Sequence, residues 1–75
     1  MIYLIQGGGF VIADTAEQFA CRMRKSSRTP SNNVPQFMRQ VSDRAWLYNN
    51  SYVRSDTVDN FLEDLILSEI VVLIK

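Results

Sequence analysis

The residues best equipped for chemistry form a short basic run, Arg22-Met23-Arg24-Lys25-Ser26-Ser27-Arg28, with Thr29 following. Arginine, lysine and hydroxyl side chains are the groups that contact phosphate oxygens. Arg39 and Arg44 could extend the patch, and Trp46, Tyr48 and Tyr52 could stack on bases. Against this, the formal net charge is zero, and no recognised nucleic-acid module pattern is present. Cations at a helix C-terminus are also what the helix dipole favours. The same aromatics suit a protein interface equally well, where Trp, Tyr and Arg are enriched.

The other candidates have simpler explanations. Cys21 is the single cysteine, and the chain has no histidine. A thiol nucleophile would need a histidine, a metal or a strongly electropositive site. Cys21 reads instead as a small hydrophobe beside an apolar helix face. A zinc site built on Cys and His ligands is ruled out, as is an internal disulfide. Asp56, Asp59, Glu63 and Asp64 share one helix, but capping and the dipole account for the first of them. The rest read as a solvated face, open to salt bridges with the basic block. Gly7-Gly8-Gly9 lacks the lysine and the following helix of a phosphate loop. These residues predict no enzyme activity, no metal and no cofactor.

The charges are segregated. Arg22, Arg24, Lys25, Arg28, Arg39, Arg44 and Arg54 face only Asp43 within their stretch. Asp56, Asp59, Glu63, Asp64 and Glu69 follow with no base among them. The near balance favours pairing of the two blocks, within a chain or across a dimer, over an anionic partner.

Three helices and three strands must position these groups. Ile2 to Gln6 and Phe10 to Ala13 flank the glycines and read as a β-hairpin. Asp14 with Glu17, or Thr15 with Gln18, has capping-box spacing and opens a helix over about residues 14–26. Ala16, Phe19, Ala20 and Met23 form its apolar stripe. Ser27 to Asn33 is a loop by composition. Pro35 suits the first turn of a second helix, about 34–48. Its face runs through Val34, Phe37, Met38, Val41, Ala45 and Tyr48, and Asn49-Asn50 is a plausible stop. Trp46 and Leu47 lie off that face. A third helix, about 56–68, carries Val58, Phe61, Leu62, Leu65 and Ile66. Ile70 to Ile74 then reads as a buried strand.

One segment occurs twice. Phe10-Val11-Ile12-Ala13-Asp14-Thr15-Ala16-Glu17-Gln18-Phe19 matches Tyr52-Val53-Arg54-Ser55-Asp56-Thr57-Val58-Asp59-Asn60-Phe61, with Ile12 against Arg54 as the one chemical mismatch. Ile12 is expected to face the core and Arg54 the solvent or a partner. The repeat also offers a rival account of residues 45–54 as a second hairpin. The unbroken apolar face through Tyr48 favours the helix.

The sum is a single α+β domain over residues 1–75, a small mainly antiparallel sheet of hairpin and C-terminal strand packed by three helices. A chain this short has a thin core, and with disulfides and zinc closed to it, oligomerisation is the route left to further stability. The expectation is a cytoplasmic, non-enzymatic interaction module that forms a homodimer. It would self-associate through the C-terminal strand or through Trp46, Tyr48 and Tyr52, and bind a protein partner at Arg22, Arg24, Lys25, Arg28, Arg39 and Arg44. The alternative is a small nucleic-acid-binding protein using that basic surface. No apolar run is long enough to span a bilayer, so no membrane role is expected.

Overall fold

Two glycines with positive φ close the first hairpin: Gly8 at 125° and Gly9 at 86°, conformations a side chain rarely tolerates. They let β1 (Ile2–Ile5) and β2 (Phe10–Ile12) run antiparallel, with Ile2 opposite Ile12 and Leu4 opposite Phe10. The C-terminal strand β3 (Val71–Leu73) pairs with the other side of β1, Leu4 opposite Val72. The order β2-β1-β3 leaves β2 and β3 as edges. The computed structural model describes residues 1–6, 8–27 and 31–75. Gly7 of the expected turn, and Arg28, Thr29 and Pro30 of the basic run and loop, lie outside the described residues.

Three helices cover one face of the sheet, so the expected α+β fold is the one that forms. The first, α1 (Ala16–Ser26), starts at Thr15, whose hydroxyl accepts the Gln18 amide, while Gln18 Oε1 accepts the Asp14 amide. This selects the Thr15–Gln18 frame of the two open in the sequence. Asn33 caps α2 (Val34–Asn49) in the same way, with Pro35 in the first turn. Asn50 ends it in the left-handed conformation, φ 54°, which asparagine adopts at low cost. Thr57 caps α3 (Val58–Leu67) by accepting the Asn60 amide.

The sequence repeat is a structural repeat. Thr15 and Thr57 share nearly the same backbone, φ −132° and −135°. Val11 and Val53, and Phe19 and Phe61, are equivalent core residues, and both phenylalanines are 0% exposed. Each ring has an edge-on aromatic partner, Tyr3 for Phe19 at 4.9 Å and Phe37 for Phe61 at 6.4 Å. The helices α1 and α3 that carry them pack together.

The favoured helical reading of residues 45–48 holds over the rival second hairpin, since α2 continues to Asn49 and Tyr52 to Arg54 forms no ladder. Three expectations fail, each for a definite reason. Tyr48 is not on the packed face: it is 79% exposed, because the buried stripe of α2 ends at Ala45 and nothing among the described residues covers its last turn. Ile12 faces outward, since strand alternation gives the inner position to Val11. The C-terminal strand is buried on one side only. Val71 is in the core, whereas Val72 and Ile74, on the opposite face, are about half exposed because no layer lies beyond them, and Leu73, on the inner face opposite Tyr3, is also about half exposed.

Phe61→Ala should cost about 3–5 kcal/mol, read from urea denaturation, because the ring is fully enclosed. Tyr48→Ala should change stability by no more than about 0.5 kcal/mol.

Candidate functional site

The basic residues divide between those the fold uses and those it leaves open. Arg22 Nη1 donates to the Ile12 carbonyl. Arg24 Nε and Nη2 donate to Ser31 Oγ and the Ser31 carbonyl at 3.2 and 2.8 Å, tying the end of α1 to the approach to α2. Lys25, Arg39 and Arg44 make no hydrogen bond or ion pair among the described residues. These three do not converge: Lys25 is on α1, and Arg39 and Arg44 lie about 140° apart around α2. Arg44 borders the cleft between Met23, Phe37 and Val41, whereas Lys25 shares a shallow site with Cys21 and Arg22. Trp46, Tyr48 and Tyr52 are all exposed. Trp46 and Tyr52 line one cleft; Tyr48 lines another with Ile5 and Arg44.

The charge blocks meet at one place among the described residues. Arg54 Nε and Nη2 clasp the two Asp64 oxygens at 2.8 and 3.0 Å, and the Arg54 amide adds a bond of 2.8 Å to Oδ2. Glu63 stands 3.8 Å from the same guanidinium. Asp64 is therefore buried rather than part of a solvated face. Its hydrogen bonds to the Arg54 side chain and amide hold its carboxyl below the usual carboxylate value, overcoming the opposing effect of burial. Arg54 is raised in turn, chiefly by its bond to Asp64. Asp56 is also lowered, first through the Asn60 side-chain amide.

Arg22 and Asp64 occupy equivalent positions of the repeat, as do Ile12 and Arg54. Each copy thus ties its helix to the extended segment before it. In the first copy the helix supplies the cation and the extended segment a carbonyl. In the second the helix supplies the anion and the extended segment the cation. The mismatch at Ile12 and Arg54 is one half of this exchange.

The Arg22 bond also blocks an edge. Val11 and Ala13 turn their backbone groups toward β1, so the Ile12 carbonyl faces the open side of β2, where the guanidinium takes it. At the other edge the Ile70 carbonyl and Ile74 amide bond toward β1. Alternation then points the Val71 and Leu73 backbone groups to the open side, and Ile70 to Ile74 contains no charge or proline.

A further feature is the outer face of the sheet. Register and alternation place Ile2, Leu4, Phe10, Ile12 and Val72 together on the side away from the helices. Phe10 is 63% exposed, and Leu4, Ile12 and Val72 are about half exposed. Ile74, opposite Ile2, continues the surface along β3. No charged or polar side chain interrupts these register positions. No family model, curated protein or solved structure matches this chain.

Sequence reasoning named Val72 and Ile74 only within a buried C-terminal strand that could pair across a dimer, turned Ile12 inward, and singled out none of the rest. The available signal was that Ile2-Tyr3-Leu4-Ile5 and Phe10-Val11-Ile12 are apolar in both alternation phases, as strands covered on both faces are. Among the described residues no group of Cys, Asp and Glu could hold a metal ion. No helix is long and apolar enough to cross a membrane.

The fold holds Asp64 as the carboxylate, so its contribution to stability is complete above the ordinary value of 3.8 and is lost as the pH falls below it. The melting temperature should fall on acidification below about pH 4. Asp64→Asn should lower it by roughly 5–10 °C at pH 7 and make the acid limb shallower.

Proposed function

We propose that this chain is a non-enzymatic interaction module, working in the cytoplasm as a homodimer whose two copies stack their outer sheet faces. The observation that carries this reading is the uninterrupted apolar surface of Leu4, Phe10, Ile12 and Val72. With Ile74 it leaves roughly 500 Å² open, taking about 150–250 Å² for each side chain when fully exposed. That is within the range of the largest patch on an ordinary monomer, about 300–600 Å², a patch that is often functional. Two copies would bury roughly 1,000 Å², about the minimum that a specific interface clears.

A second copy fits this surface better than a charged partner does. The face offers no charge or hydrogen-bonding side chain to select one. Stacked sheets interdigitate apolar side chains about 10 Å apart, and a two-fold axis presents each patch to its own equal. The single free cysteine suits a reducing compartment.

A second mode draws on the open β3 edge, where Val71 and Leu73 could pair across a two-fold axis. The nucleic-acid alternative has less to stand on. Arg22, Arg24 and Arg54 are engaged within the fold, and the open Lys25, Arg39 and Arg44 face different ways.

Light scattering over a dilution series should give a dimer that dissociates on dilution. Phe10→Lys should make the chain monomeric with its circular dichroism unchanged, because the side chain is exposed in each protomer. A Phe10→Lys dimer would favour the β3 edge, which Phe10 does not approach; a wild-type monomer at high micromolar concentration would end the proposal. Titration with DNA and RNA at low salt should show no binding, whereas phosphate-driven binding would appear there and weaken steeply with salt.

A further inference from the structure

A cleft between α2 and the chain that follows it remains to be explained. Its first wall is α2, where Ser42, Asp43 and Trp46 lie within one turn. Its second wall is the chain that returns along α2 after Asn50. The left-handed Asn50 reverses the direction, and the Ser51 amide bonds the Ala45 carbonyl at 3.1 Å. Ser42 Oγ then donates to the Val53 carbonyl at 2.6 Å, with Val53 buried in the core. These anchors fix Ser51 and Tyr52 across from Trp46. They leave a cleft of about 360 Å³ lined by Ser42, Asp43, Trp46, Ser51 and Tyr52.

The chemistry of the lining is specific. Trp46 and Tyr52 bring two exposed aromatic rings from different segments. Asp43 makes no hydrogen bond or ion pair among the described residues, not even with Arg39 one turn earlier on the same helix. Aromatic faces attract cations through the ring quadrupole, and an unpaired carboxylate adds a full opposite charge. A hard metal ion would have to shed tightly held water for a single carboxylate, where such ions ask for several oxygen ligands. A cation that carries its own apolar surface pays no such cost.

We propose that this cleft binds an alkylated ammonium group, of the trimethylammonium kind, between Trp46 and Tyr52 with Asp43 as its counter-charge. The site is independent of self-association through the sheet, since none of its lining residues belongs to a strand.

Trp46 is the chain's single tryptophan, so its fluorescence reports directly on the cleft. Tetramethylammonium chloride should change the emission saturably, with half-effect on the order of millimolar. Equal concentrations of sodium chloride and of tert-butanol, a neutral molecule of similar shape, should not. Tyr52→Leu should weaken binding by roughly two- to fivefold, and Asp43→Asn by at least as much. Both positions are exposed, so circular dichroism should be unchanged. Choline and a short peptide carrying trimethyl-lysine separate the sources, the tighter ligand showing whether the group arrives free or on a protein. An absent or unsaturable response, the same response to tert-butanol, or an unaltered affinity in Asp43→Asn would overturn the assignment.

Discussion

The structure rests on a mismatch between the sheet and what is available to cover it. Three strands made almost wholly of apolar residues have two faces, and the three helices pack against one. On that face Tyr3, Val11 and Val71 meet Phe19, Phe61 and Leu65 and exclude water. On the other, Phe10, Ile12, Leu4 and Val72 carry similar side chains into solvent. Apolar area removed from water is the main favourable term in folding, and a chain this short reaches the limit of what it can remove alone. In the proposed dimer a second copy would supply the missing layer without a new kind of surface.

The repeat explains how so short a chain builds its covered face. Each copy places an extended segment, a threonine cap and a helix in the same relation, with valine and phenylalanine at matched core positions. What differs is the polar tie. The Arg22 tie to the Ile12 carbonyl occupies one sheet edge and limits strand pairing there. The Arg54–Asp64 tie is bidentate and reinforced by an amide, the geometry in which charge-assisted bonds are strongest. It anchors the segment after Asn50, which in turn forms one wall of the aromatic cleft. The two units, with the cation on the helix in one and on the extended segment in the other, leave one blocked edge, one open edge and one anchored loop.

Local signals in the sequence were the legible ones. Capping spacing located the starts of α1 and α3, the proline and the asparagines bounded α2, and helical stripes identified Phe19, Phe37, Phe61 and Leu65 as core. These depend on neighbours within one turn. What could not be read depended on residues far apart in the chain. Asp64 looks like one more acid on a polar helix face until Arg54 folds back on it. Tyr48 continues a perfect helical stripe, but the burial of that stripe ends at Ala45. Ile12 and Val11 are equally apolar, so composition alone does not say which turns inward. The candidate residues Trp46 and Tyr52 were visible by type, but the cleft between them exists only because of Ser42, which carried no signal of its own.

The central claim is that the uncovered sheet face is where two copies meet. Its most direct test is an isotope-filtered NMR experiment on a mixture of labelled and unlabelled chains. This account predicts intermolecular contacts between the Phe10 ring and the methyl groups of Leu4, Ile12 and Val72. Intermolecular contacts confined to the backbone of Val71 to Leu73, or none in a sample that is fully dimeric by mass, would contradict it.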